Sequence, residues 1–438
     1  MKVKIEKGSM NQPEETEPLV FSRLNTSKVK ITIQKQNILI RILKYSIMGF
    51  CGLVPVLFCV LHIMGHVNNC KNVKDLSFDP VDLNYNQVLE SETTDQSFAI
   101  IGDFQRTSWI ECAISREVND DETEIIVKAI ARTSPGFIAL LGDFVFDGND
   151  QSHWKHFDYT IQEFARLQIP LFPVLGNHDY CSDTMYIIES KRCNNDVASQ
   201  EYSKRFPASF LLSNKGKQTS WYSRLYGSKS MGGAQLGMIF LDSNFYRLDE
   251  EEWESQMKWL NAVISDIESN ERVRGILFFA HHPPFTNSLS VSGDKHVKQH
   301  FLPVFCRAHK SMTFFTGHAH GLEHFVHDCS TELQGTSRVE NNASRHFVVT
   351  GGGGGPRPAR GLHQANYRNY YDILGETKIP RPFNFVRVSF LLGPNDKARE
   401  VKTGIRVEAH GINKGEKAVR LLHQFDIFWP KKRSNKFG

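Results

Sequence analysis

Six residues of metal-ligand type close short apolar runs in this chain: Asp103, Asp143, Asn177, His281, His318 and His320, with His178 beside Asn177. Carboxylates, imidazoles and an amide oxygen form a borderline-hard donor set, which suits Mn, Fe, Zn or Mg rather than copper or an iron–sulfur cluster. Six donors are too many for one tetrahedral site and suit two adjacent ions that share a carboxylate. Two ions about 3.5–4 Å apart can activate a water and stabilise both the attacking and the leaving oxygen of a displacement.

The elements that must position these donors are strands. Phe98-Ala-Ile-Ile runs into Gly102-Asp103, and Phe137-Ile-Ala-Leu-Leu into Gly142-Asp143. Pro173-Val-Leu leads to Gly176-Asn177-His178-Asp179, Gly275-Ile-Leu-Phe-Phe-Ala to His281-His282, and Met312-Thr-Phe-Phe-Thr to Gly317-His318-Ala319-His320. Continuous apolar runs of this length fit strands covered on both faces, and open α/β sheets bind ligands beyond the carboxyl ends of their strands. Taken singly, Asp103 or Asp143 reads equally well as a turn cap, Asn177 as a turn residue, and His281 as a hydrogen-bonded core histidine. Those readings do not account for five such strand ends in one chain.

Between the runs lie helical patterns at Asp121 to Arg132, Ser152 to Leu167 and Glu251 to Ile267, and strands at Leu171 to Leu175, Leu236 to Asp242 and Ile276 to Ala280. In the first helix the acids stand early and Lys128 and Arg132 late, the order the helix dipole favours. Alternating β and α units predict a partly parallel sheet. Later strands are expected at His346 to Thr350, Phe383 to Leu392 and Gly404 to His410, giving an α/β fold of two packed sheets flanked by helices.

In order, the segments GDFQ, GDFVF, GNHD, AHH and GHAH resemble the five blocks of the calcineurin-like metallophosphoesterases, and the domain is most similar to their purple and tartrate-resistant acid phosphatase branch. The resemblance implies a four-layer αββα sandwich with a two-metal centre that hydrolyses phosphoesters. It implies that Asp143 bridges the ions, that Asp103 and His320 serve the first, and that Asn177, His281 and His318 serve the second. His178 is implied to contact the phosphate and assist the leaving group. Two positions depart from the purple phosphatases, whose motifs place a glycine and an iron-binding tyrosine where Gln105 and Phe146 stand here. The Gln105 amide oxygen is then a candidate fourth ligand of the first ion, with Mn²⁺ or Mg²⁺ expected there rather than Fe³⁺. His282 and His324 are read as supporting or surface histidines, and Arg106 as a candidate phosphate contact. The run Gly351 to Gly355 lacks the Gly-Lys-Ser/Thr ending of a phosphate-binding P-loop and reads as a tight turn near the metal rim.

Composition bounds the rest. The 438 residues are 40% hydrophobic and 23% charged, ordinary for a globular chain. Residues 1–44 hold nine Lys/Arg against four Glu, a surplus of five within a net charge of +4, so the remainder sums to −1 and no basic domain is left for nucleic-acid binding. Tyr45 to Met64 is twenty residues without Lys, Arg, Asp or Glu, long enough to span a bilayer. With the basic flank before it, the positive-inside rule puts the amino terminus in the cytosol. The expected organisation is a disordered tail (1–44), a transmembrane signal anchor (45–64), a stalk (65–96) and a catalytic domain (97–438) on the extracytoplasmic side, a single-pass type II topology. Six cysteines follow the span, and Cys181 with Cys193 and Cys306 with Cys329 are the expected disulfides. Asn342-Ala-Ser344 is a sequon if the domain faces a lumen.

The leading functional expectation is a membrane-anchored phosphatase that hydrolyses phosphomonoesters of small molecules or proteins by attack of a metal-bound hydroxide. The alternatives are a phosphodiesterase or pyrophosphatase on nucleotides or lipid headgroups, and a non-catalytic membrane scaffold of the same fold.

Overall fold

The computed structural model describes residues 96–108, 111–112, 116–181, 195–206, 211–212, 218–288, 291–330, 344–357, 381–391 and 403–430. The expected tail and span, the stalk up to residue 95, Asn342 of the sequon, Cys70 and Cys193 lie outside them. Among the described residues no helix is long and apolar enough to cross a membrane.

Strands β1 (Phe98–Ile101), β2 (Ile138–Leu140) and β3 (Leu171–Pro173) run parallel in one six-stranded sheet. A small ribbon, β4 (Leu211–Leu212) with β5 (Gln218–Thr219), stands apart. The second six-stranded sheet holds β6 (Tyr222–Ser228), β7 (Ala234–Phe240), β8 (Val273–Phe279), β9 (Ser311–Thr316), β10 (Leu322–His327) and β11 (Arg345–Thr350). Its order is β10-β11-β9-β8-β7-β6, with β7, β8, β9 and β11 parallel. Strands β12 (Phe383–Leu391), β13 (Gly404–Ile412) and β14 (Arg420–Phe428) return to the first sheet as an antiparallel meander, giving the order β14-β13-β12-β1-β2-β3.

Alternation along each strand divides the core. Phe98 and Ile100 of β1 join Phe240, Leu277, Phe279 and Val348 in a cluster shared by both sheets, whereas Ala99 and Ile101 face the helix Asp120–Arg132 through Ile126 and Ile130. On the far side, Ile276 and Phe278 of β8 pack on Leu260 and Ile264 of the helix Glu250–Ser269. That helix opens with a capping box: Asp249 accepts the Glu252 N–H at 2.7 Å, and the Glu252 carboxylate accepts the Asp249 N–H at 3.0 Å. The protein is therefore a mixed α/β fold with two sheets.

The helix expected from Ser152 to Leu167 is divided into Gln151–Thr160 and Gln162–Arg166. Thr160 bonds back to the His156 carbonyl at 2.9 Å, a contact that bends helices, and Ile161 between the two pieces is fully buried. Strands β6, β10 and β14 were not legible in the pattern. In β10, buried Glu323 and His324 interrupt the apolar run. Glu323 is accommodated by the Thr286 hydroxyl at 2.6 Å and the Asn287 N–H at 3.0 Å. The Cys306–Cys329 disulfide is present, with Cα atoms 5.4 Å apart, and Cys112 and Cys181 are also disulfide-bonded.

At one edge of the two sheets three histidines join them. His324 of β10 contacts His423 of β14 (Nδ1 to Nε2, 2.9 Å) and His346 of β11 (Nε2 to Nδ1, 3.0 Å), and its ring lies 3.8 Å from that of Phe425. Burial, with the neighbouring imidazoles, pushes His324 down to about 2. Burial and Arg345 push His346 to about 4, and burial lowers His423. His324 and His346 are therefore neutral in the fold near neutral pH. An unfolded histidine protonates near pH 6.5, so stability is lost as pH falls below that value, by about 1.4 kcal/mol per pH unit for each withheld proton. Chemical denaturation of the chelator-treated protein between about pH 7 and 5 should show this fall, and His324→Phe should make the slope shallower. An unchanged slope would place the acid sensitivity elsewhere.

Candidate metal centre

Parallel β1, β2 and β3 end on one edge of their sheet, as do parallel β8 and β9 of theirs, and the candidate ligands follow these ends directly. Two donor groups result. Asp103, Asp143 and His320 offer ligand atoms within 4.8 Å of one another, and so do His281, His282 and His318. In the first, His320 Nε2 lies 3.3 Å from Asp103 Oδ1. In the second, His281 Nε2 lies 3.1 Å from His318 Nδ1 and 3.2 Å from Asn177 Oδ1. Asp143 joins them, since its Oδ2 is 3.3 Å from His281 Nε2 and 3.3 Å from the Gln105 amide nitrogen, which in turn is 3.0 Å from His320 Nε2.

Backbone carbonyls set the imidazole tautomers. Nδ1–H of His281 donates to Leu141 O at 2.7 Å, that of His320 to Pro356 O at 2.9 Å, and that of His178 to Phe146 O at 2.8 Å. A carbonyl can only accept, so in each ring Nδ1 carries a proton and Nε2 is the nitrogen left for the centre. His282 is tied instead to Ser243, Nδ1 to Oγ at 2.8 Å, and packs edge-on to His281.

Electrostatics match an ion site. Burial raises the Asp143 carboxyl, but His281, His178 and His318 outweigh it and hold the group well below the carboxylate range. Burial lowers His281, but Asp143 and Asp103 raise it to about 9. Burial and the neighbouring His282 and His281 keep His318 well below its usual value. Without an ion, His281 holds the proton that the carboxylates attract, so loading with metal should release it.

Four of these residues have left-handed backbones: Asp103 (φ 64°), Asp143 (φ 53°), His318 (φ 68°) and His320 (φ 34°). Non-glycine residues rarely adopt such angles, and the strain persists only where surroundings over-determine it. One such constraint is Asp179, which is fully buried. Its carboxylate accepts the N–H groups of Asp143 (2.8 Å), Phe144 (2.7 Å) and Gly176 (2.8 Å), tying the β2 loop to the β3 loop. On the other side, the Asp103 carboxylate accepts the His318 N–H at 3.0 Å. The only signal for Asp179 was its place in the Asn-His-Asp block.

The glycine run is not a phosphate cradle. The N–H groups of Gly351, Gly353 and Gly355 donate to Gly321 O, Gly102 O and Asp103 O at 3.0, 2.9 and 2.8 Å. A Cβ on Gly351 would stand 2.6 Å from Asp103 Oδ2, and one on Gly355 2.9 Å from Gln105 Oε1. The run is glycine because it backs the ligands. Arg106 pairs with Asp120 at 3.5 Å.

The residues present fit two divalent ions. The donors are of the right chemistry, one carboxylate faces both groups, and Gln105 Oε1 is buried without a hydrogen-bond partner. Gln105 is 1% exposed, and turning its amide over would exchange that oxygen with the nitrogen now beside Asp143 and His320.

Several solved structures are similar to this chain. A purple acid phosphatase from yellow lupin (Lupinus luteus) seeds superposes with a TM-score of 0.51 at 17% identity, over 78% of this chain and 55% of that one. The GAP50 anchor of the Plasmodium inner membrane complex gives 0.48 at 14% identity, over 77% and 90%. A dimetal phosphatase from Danio rerio gives 0.43 at 14% identity, over 75% and 100%. A comparison with curated proteins gives no significant match. Residues 97–322 match the family model for calcineurin-like phosphoesterases, and the chain belongs to that family.

Proposed function

We propose that this protein is a dinuclear metal-dependent phosphatase that hydrolyses phosphomonoesters, held at a membrane by Tyr45 to Met64 with its catalytic domain on the extracytoplasmic side. The observation that carries the catalytic reading is Asp143, whose carboxylate belongs to the group with Asp103 and His320 and whose Oδ2 lies 3.3 Å from His281 Nε2 of the other group. When bound, two divalent ions would supply a water nucleophile near neutral pH and neutralise charge on the phosphoryl oxygens. Asp103, His320 and Gln105 would hold the first ion, Asn177, His281 and His318 the second, and Asp143 both.

His178 has the geometry of the proton donor. Its N–H bonds Asp143 Oδ1 at 3.0 Å, its Nδ1 is committed to Phe146 O, and its ring packs on Phe146 with centroids 5.2 Å apart. That leaves Nε2 to hold the proton for the departing alkoxide, help worth about 10²–10⁴ in rate. Phe146 has no oxygen to offer a ferric ion, and Gln105 supplies a neutral donor, so Mn²⁺ or Mg²⁺ suits the first site.

Purified full-length protein, stripped with a chelator and reloaded with single ions, tests the reading. Two ions per chain, turnover of a chromogenic monoester faster than of a diester, and no visible charge-transfer band are expected. Preferred diester turnover would favour the phosphodiesterase alternative, and absence of both metal and turnover would leave the scaffold. The topology is tested separately with protease on sealed vesicles, which should trim only the amino-terminal tail.

A further inference from the structure

We propose that Lys414 is a positioning residue for the Asp103, Gln105 and His320 half of the metal centre, acting through Asn119 and the loop Gly351 to Pro356. The inference rests on the metal-binding reading above.

Lys414 occupies the turn between β13 and β14, an ordered turn in which Asn413 N–H donates to the Glu416 carboxylate at 2.8 Å. Its ammonium reaches the Val118 carbonyl, Asn119 Oδ1 at 3.1 Å and Glu122 Oε2 at 2.6 Å. Asn119 is 2% exposed. An ammonium only donates, so its contact fixes which end of the buried Asn119 amide is oxygen. The Asn119 nitrogen is thereby turned to the carbonyls of Gly354 (3.0 Å) and Gly355 (3.4 Å). Without the cation that oxygen is left buried with no donor while the nitrogen still serves the two carbonyls, so the bridge from the β13–β14 turn to the loop is weakened.

The loop so held touches the first donor group throughout. Gly355 N–H donates to Asp103 O at 2.8 Å, and Pro356 O accepts from His320 Nδ1 at 2.9 Å. Cβ atoms built on Gly355 would fall 2.8 Å from His320 Cε1 and 2.9 Å from Gln105 Oε1, so the loop has no slack against the ligands. The second group is braced elsewhere: His281 by Leu141 O, and the Asn177 turn by Asp179. The same loop has further braces, Arg116 to Pro356 O at 2.6 Å and Arg357 to Glu117 at 2.8 Å, so loss of Lys414 should loosen it rather than release it. Partners that orient metal ligands typically account for about 10–100-fold in metal affinity.

The test is Mn²⁺ titration of the full-length protein, with free Mn²⁺ read by electron paramagnetic resonance. The wild type should bind two ions, and Lys414→Met should weaken one binding class by about 10–100-fold and leave the other unchanged. Lys414→Arg, which keeps a donor that cannot accept, should recover most of the loss. Glu122→Gln, which removes the ion pair but not the Asn119 contact, should lower stability and leave the isotherm unchanged. A Lys414→Met isotherm identical to wild type, or equal weakening of both classes in step with lost stability, would overturn the inference alone. A wild type that binds no Mn²⁺ would overturn the metal reading and the inference with it.

Discussion

Replacing Asp143 by Asn should leave the protein without a tightly held metal pair and lower phosphomonoester turnover by on the order of 10³-fold or more. The change keeps the side chain's shape, so the loss follows from chemistry alone. Asp143 Oδ1 accepts the His178 N–H at 3.0 Å, and Oδ2 faces both donor groups. An asparagine must turn its oxygen to the His178 N–H, which places its NH₂ at the shared position. There it can bind neither ion and would confront them with a donor. The effect can be read without turnover, because a ligand present at 100 times its dissociation constant stabilises a fold by about 2.7 kcal/mol. Adding Mn²⁺ should raise the unfolding temperature of the wild type and leave that of Asp143→Asn almost unmoved. A wild-type shift in the variant would show that Asp143 does not join the two groups.

The five strand ends were legible because each couples two signals: a fully buried strand is apolar at every position, and a ligand loop must break that run at once. The boundaries moved by a few residues, as at β7, expected from Leu236 to Asp242 and found at Ala234–Phe240, without moving any ligand off its strand end. What was hidden has a common cause. Strand β10 carries Glu323 and His324 in buried positions satisfied by residues distant in sequence, so no local pattern could mark them as interior. Edge strand β14 alternates poorly because only part of it is covered. Lys414 stands nearly three hundred positions from Asn119, with nothing in its neighbourhood along the chain to suggest that contact. The left-handed backbones of Asp103, Asp143, His318 and His320 are likewise a property of the assembled loops. Within Asn177-His178-Asp179 the sequence offers three polar side chains, and only the fold shows that Asn177 turns to His281 and His178 to the Phe146 carbonyl while Asp179 turns to the backbone N–H groups.

That inward turn makes Asp179→Ala the substitution with the largest expected effect on stability. Its carboxylate is fully buried, and burial together with Asp143 raises its pKa, yet the N–H groups aimed at it favour the charged form. Oδ2 accepts from Asp143 and Gly176, each at 2.8 Å, and Oδ1 from Phe144 at 2.7 Å. Alanine would leave these amides buried without an acceptor, at about 1–3 kcal/mol each, so a loss on the order of 4 kcal/mol is expected, near the top of the range for single substitutions. The measurement is denaturant unfolding of chelated protein, in which loss of metal cannot contribute. Asp179→Asn sharpens it. If its oxygen serves Phe144, its NH₂ confronts the N–H groups of Asp143 and Gly176, so the near-isosteric change should recover only a minor part of the stability. An alanine variant within about 1 kcal/mol of wild type would mean that water takes over the acceptor role and that Asp179 does not hold the strained Asp143 turn in place.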